Sequence, residues 1–271
     1  MPALRRVDGL PVPAEVLVAA DPAGIAEAAA ERLAAWLGDA LESRPAAHLA
    51  LTGGSSAGHL DAELLKPRWR SAVAWDRVHL WWGDERYVPG DHADSNFGAA
   101  FRDLLADGGL PVPRQNVHPI PVDTAVADGR DITWTAAAYR DEVLTFLSRN
   151  SAGLPAFDVI LLGVGPDGHI LSVFPGSPAL EPETPLVMAV PAPTTVDPKV
   201  PRITLSPRLL DAAGHVMPMV GGASKAQVVR RILAGDRNLV ELPAQLATGS
   251  NATWLLDRAA AAELETLEPA P

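Results

Sequence analysis

The chain has 271 residues, 48% of them hydrophobic and 20% charged, with a formal net charge of −11 and no cysteine. This is the composition of a globular protein able to bury a sizeable core, and no apolar run approaches the roughly 20 residues of a membrane span. The missing cysteines exclude disulfides, thiolate nucleophiles and Cys-ligated metals, and the acidic balance opposes nucleic acid, whose phosphates are bound through Lys and Arg.

The opening residues, MPALRRVDGLPVPAEV, lack the continuous apolar core of a secretion signal. The expectation is a cytoplasmic protein, with residues 1–15 an extended segment of a single domain spanning 1–271. Asp21-Pro22 then supplies an N-cap and a proline at the first helical position, and Ile25, Ala29, Leu33, Trp36, Leu37 and Leu41 recur at helical spacing. HLAL (48–51) reads as a strand ending in Thr52-Gly53-Gly54-Ser55-Ser56. VHLWW (78–82) reads as another, ending in Gly83-Asp84-Glu85-Arg86. A helix capped by Ser95 follows, with Phe97, Phe101, Leu104 and Leu105 on one face and Gly108 as its stop, and another helix is expected over 131–148.

Val159 to Leu162 is a continuous apolar strand of the type buried on both faces in parallel sheets. LVMAV in the proline-rich stretch 181–201 reads as a strand between loops. Arg202 to Leu205 is a strand, and Ser206-Pro207 opens a short helix. HVMPMV (215–220) is expected at a sheet edge or strand end because Pro218 lacks an amide donor. Ser224 is expected to cap a helix through Leu233, and Thr253 to Leu256 to form a last strand before an Ala-rich helix. Repeated βα units imply a mostly parallel sheet with helices on both faces, whose ligands gather outside the carboxyl ends of the strands.

Four loops follow strands and carry polar residues: Gly53 to Ser56, Gly83 to Arg86, Gly163 to His169 and Gly221 to Lys225. Parallel topology places such loops on one sheet edge, so they can form one pocket. TGGSS before a helix offers backbone N–H groups and two hydroxyls suited to a phosphate, although the Gly-Lys-Ser/Thr ending of a P-loop is absent. Gly163-x-Gly165-x-x-Gly168 has dinucleotide-binding spacing, but Pro175-Gly176-Ser177-Pro178 would cut short the long helix that motif requires. What remains is a glycine-rich loop presenting Asp167 and His169, an imidazole able to take and return a proton beside a carboxylate that can orient it. In GDERYVPGDHADSNF no metal-ligand spacing is recognisable; Arg86 reads as an anion clamp with Asp84 as its partner. Lys199 and Arg202 add two cations, and Trp75, Trp81 and Trp82 read as packing.

Taken together and in this order, TGGSS, WWGDERYVPGDHADSNF, ILLGVGPDGHILSVFPG, PKVPRITLS and VGGASKA resemble the 6-phosphogluconolactonase family over nearly the whole chain. The resemblance implies a fold similar to glucosamine-6-phosphate deaminase and ribose-5-phosphate isomerase. It also implies hydrolysis of 6-phospho-D-glucono-1,5-lactone to 6-phosphogluconate in the oxidative pentose phosphate pathway, with no metal or organic cofactor. By matching motif, His169 would be the general base and then acid, supported by Asp167. Gly53, Gly54, Ser55, Asp84, Arg86, Asn96, Gly165, Lys199 and Arg202 would surround the small-molecule substrate, in a monomer or a homodimer. The chain departs from the family's usual Gly-His-Thr-Ala-Ser at Gly168-His169-Ile170-Leu171-Ser172, from Pro-Lys-Pro-Pro at Pro198-Lys199-Val200-Pro201, and from Gly-Gly-Ser-Thr-Pro at Gly53-Gly54-Ser55-Ser56-Ala57. Two other readings stand beside it. A deaminase or isomerase would need a glutamate five residues after the histidine, where this chain has Phe174. A non-catalytic sugar-phosphate sensor would bind without turnover.

Overall fold

The computed structural model describes residues 4–181 and 183–264. Eleven strands are β1 (Arg5–Arg6), β2 (Glu15–Ala19), β3 (Ala47–Leu51), β4 (Val78–Trp82), β5 (Asp84–Arg86), β6 (Val117–His118), β7 (Val159–Leu162), β8 (Val187–Val190), β9 (Arg202–Leu205), β10 (His215–Val220) and β11 (Thr253–Asp257). The α-helices are α1 (Pro22–Ser43), α2 (Ser55–Leu64), α3 (Pro67–Arg70), α4 (Asn96–Ala100), α5 (Val122–Ala127), α6 (Ile132–Phe146), α7 (Arg208–Ala212) and α8 (Ala226–Ala234). The main sheet runs β1-β2-β11-β10-β7-β3-β4-β6 and is parallel except for β1; β5, β9 and β8 form a small antiparallel sheet.

Local chemistry sets the helix starts, at Asp21 and Ser95 as expected and at Asp131 as a cap just outside the helix expected to include it. Asp21 Oδ1 accepts from Gly24 N at 2.9 Å, Ser95 Oγ from Gly98 N at 2.9 Å, and Asp131 Oδ1 from Trp134 N at 2.8 Å. The central strands β3 and β7 are buried at every position, as parallel strands covered on both faces must be. Trp75, Trp81 and Trp82 are buried in the core. The Tyr139 hydroxyl of α6 donates to Trp82 O and accepts from Trp82 N, tying α6 to the carboxyl end of β4.

Four elements differ from expectation. β10 is interior, between β11 and β7, despite Pro218. The proline stands opposite Leu162 at the last β7 pair and one residue before the register with β11 resumes at Met219, so its missing donor falls at a joint between ladders. Ser224 does not cap α8: a 3₁₀ turn, Ala223–Lys225, leads into the helix and Ser224 is exposed. After β11 the chain makes successive turns through Leu264, with Asp257 accepting from Ala260 N, and the rest of the expected Ala-rich helix lies outside the described residues. The strand β2, a five-residue EVLVA run, has no counterpart among the expected elements; it pairs with β11 and carries at its edge β1, which falls within the extended segment 1–15.

Candidate active site

The carboxyl ends of β10, β7, β3 and β4 are neighbours, and their following loops enclose a cavity of about 210 Å³. Its wall includes Thr52 to Ser56 after β3, Asp84 and Arg86 of β5, Asn96 at the start of α4, Gly163, Val164, Gly165, His169 and Leu171 after β7, Arg202 of β9, and Gly221 and Lys225 after β10. All four polar loops singled out in the sequence therefore meet. No nucleotide-type helix follows Gly168; from Pro166 to Ser177 the chain is turns and irregular backbone with isolated bridges at Ile170 and Val173.

His169 Nδ1 lies 2.5 Å from Asp167 Oδ1, and its side chain is 15% exposed. Burial alone would raise the Asp167 carboxyl, but the hydrogen bond and charge of His169 outweigh it and hold that carboxyl below the usual range. Gly165 makes room for the pair, since a Cβ there would stand 2.0 Å from His169 Nδ1. The imidazole is thus held by one nitrogen, leaving Nε2 without a hydrogen-bond partner among the described residues.

The cationic wall comes from strand pairing. Arg86 and Arg202 are direct partners across the β5–β9 ladder, an arrangement that repels unless a counter-charge offsets it. Arg202 is 3% exposed; its Nη2 donates to Pro198 O at 3.0 Å, and its Nε has no partner. Burial lowers the proton affinity of Arg202, with Asp84 opposing and Arg86 adding to that effect. Arg86 donates from Nη1 to Asp94 O at 2.7 Å, and its Nε is likewise buried without a partner. Asp84 is not its partner as expected: Asp84 Oδ2 accepts from Ser172 Oγ at 2.5 Å, which ties β5 to the His169 loop.

Glu85, 2% exposed, organises the remaining wall. Its carboxylate accepts from the backbone N–H groups of Arg86, Asn96 and Phe97 at 2.7–2.8 Å and from Ser95 Oγ at 3.1 Å. Burial raises this carboxyl, and the three backbone donors pull it back. Asn96 so placed donates from Nδ2 to Asp84 O, and its Oδ1 occupies the space a Cβ on Gly53 would need, 1.9 Å away. Gly54 and Ser55 begin α2, whose N-terminal N–H groups border the cavity.

Lys199 is exposed and is not part of the wall. Lys225 is, with Nζ donating to Val164 O at 2.8 Å; burial lowers its proton affinity and Asp167 opposes that. Sequence reasoning marked its loop but not the residue, although a lysine in a loop after a parallel strand was a usable signal. Ile170, the departure that removed a family hydroxyl, is wholly buried and does not face the cavity; Leu171, with φ 53°, does. Among the described residues no three His, Asp or Glu side chains converge as a metal-ligand set.

A histidine–carboxylate pair at a parallel-sheet edge, opening on the same cavity as two arginines and a helix N-terminus, has the make-up of an enzyme site for a small anionic substrate. Residues 20–255 match the family described as glucosamine-6-phosphate isomerases/6-phosphogluconolactonase, and the chain belongs to it. It is 38% identical over 257 residues to a 6-phosphogluconolactonase of Streptomyces coelicolor, covering 92% of this chain and 94% of the relative. The solved 6-phosphogluconolactonase of Trypanosoma brucei matches with TM-score 0.79 and 30% identity over 92% of this chain and 98% of that one. A monomeric glucosamine-6-phosphate deaminase shares the fold, with TM-score 0.74 at 19% identity over 92% and 99% of the two chains.

Proposed function

We propose that this chain, acting as one α/β unit, hydrolyses 6-phospho-D-glucono-1,5-lactone to 6-phospho-D-gluconate. The observation that carries this reading is that the His169–Asp167 pair opens on the same cavity as the cross-strand arginines Arg86 and Arg202. His169 Nε2 takes a proton from water as the water oxygen bonds to the lactone carbonyl carbon. The tetrahedral oxyanion then collapses, the bond to the ring oxygen breaks, and His169 returns the proton to that oxygen. Asp167 keeps the Nδ1–H tautomer and balances the imidazolium. Gly53, Gly54, Ser55, Asp84, Asn96, Gly165 and Lys225, with the two arginines, hold the phosphate, the hydroxyls and the developing oxyanion.

The shared fold of the deaminase keeps one alternative in view, but Phe174 occupies the position where that chemistry would place a carboxylate. The unit acts on its small-molecule substrate as a monomer or a homodimer. A phosphorylated sugar is charged and does not cross bilayers, so the reaction belongs in the compartment that forms the lactone, which we read as the cytoplasm. The test is turnover of freshly generated lactone, corrected for spontaneous hydrolysis, with glucosamine 6-phosphate in parallel. Acceleration over background with the lactone and none with the amino sugar is expected; the reverse would replace this reading with deamination.

A further inference from the structure

Phe174 lies five residues beyond His169, and the loop returns its ring to the imidazole, with centroids 4.7 Å apart and planes inclined at 49°. The guanidinium carbon of Arg202 lies 5.4 Å from the centroid of the same ring. Phe174 is half-buried and is neither part of the hydrophobic core nor packed against it. It does not line the cavity either. A large aromatic side chain thus sits outside the core, and its ring and cation contacts are with the base and the buried cation.

Both neighbours need such support. Among the described residues the His169 imidazole makes one hydrogen bond, to Asp167, and a ring held at a single nitrogen can still turn about that line. Arg202 is anchored through Nη2 alone, with Nε unpartnered. An aromatic ring against the imidazole removes the first freedom, and cation–π attraction restrains the second.

We propose that Phe174 is a positioning residue that sets the imidazole plane of His169 and the guanidinium of Arg202 with one ring, coupling the base to the anion-binding wall. The inference rests on the reading of His169 as general base. It requires that loss of the ring lower turnover and ligand affinity together, although Phe174 does not line the cavity.

The experiment compares Phe174→Leu and Phe174→Tyr with the unaltered protein. Its readouts are kcat on the lactone, the Kd of 6-phosphogluconate by calorimetry, and the downfield Nδ1 proton resonance of His169. Phe174→Leu is expected to lower kcat about tenfold, to weaken 6-phosphogluconate several-fold and to broaden the resonance. Phe174→Tyr, which keeps the ring, is expected to stay within about twofold in both constants. In a His169→Ala background, Phe174→Leu should still weaken 6-phosphogluconate, because the Arg202 contact persists. Unchanged constants in Phe174→Leu, a change in only one of them, or losses that Phe174→Tyr shares would overturn the proposal. If Phe174→Leu does not fold, Phe174→Met carries the same comparison. Failure of the unaltered protein to hydrolyse the lactone would instead count against the proposed function, since the resonance and the 6-phosphogluconate affinity do not depend on turnover.

Discussion

His169 and Asp167 are joined Nδ1 to Oδ1 at 2.5 Å across a single intervening residue, Gly168, so the geometry of the pair is set within one loop. Replacing His169 by Ala should lower kcat on the lactone about 10²–10⁴-fold while 6-phosphogluconate still binds. Turnover near that of the unaltered protein would remove His169 from the mechanism.

Asp167→Asn and Gly165→Ala should act on the same pair by different routes. The amide can donate where the carboxylate only accepted, favouring the wrong tautomer, and kcat should fall by about 10²-fold or more. The alanine Cβ would stand 2.0 Å from the imidazole and 2.6 Å from Asp167 Oδ1, so the pair must separate. Asp167 also links the site to acid stability. Its carboxyl is depressed on folding, so its contribution is present above the unfolded value of 3.8 and is lost as pH falls through the lower folded value. The Tm difference between the native protein and Asp167→Asn should shrink as that range is crossed.

The arginine pair predicts a contrast. Arg202→Lys loses the planar fork in a nearly closed position and should raise KM for the phosphorylated substrate about 10–100-fold. Lys199→Ala should change KM less than about twofold, because the exposed side chain stands off the wall. A large KM effect at Lys199 would show that the loop reaches the substrate.

Glu85→Gln tests how the wall is held. The amide offers one acceptor oxygen and two unwanted donors to a pocket of four N–H and O–H groups, at a cost of about 1–3 kcal/mol. Both a lower Tm and a raised KM are expected, since Asn96 and Arg86 depend on the same carboxylate. A lower Tm with unchanged KM would confine Glu85 to stability.

His48 predicts the acid limb of stability. Burial first, then His79 and His118, push its pKa down to about 3, while its Nδ1 accepts from buried Trp81 Nε1. The unfolded chain takes up a proton near 6.5 that the folded chain refuses, so stability is full above that pH and declines toward about 3. His48→Gln, which keeps an acceptor for Trp81, should flatten the fall of Tm between those limits.

The order of elements and the histidine–carboxylate pair were legible in the sequence because both depend on near neighbours. Caps at Asp21 and Ser95, the apolar run 159–162, and the pairing of Asp167 with His169 two residues on are all fixed by short-range spacing. So was the convergence of four loops, since parallel strands must end on one edge. The tertiary structure alone decided which residues share the cavity. Antiparallel register sets Arg86 against Arg202, the interior place of β10 brings in Lys225, and Asp84 is turned away from Arg86 to Ser172. Lys199 drops out of the wall, and the return of the loop lays Phe174 against His169. These are contacts between elements distant in the chain or across a loop's turn, and their selection depends on burial and ladder register across the sheets, quantities that no local spacing encodes.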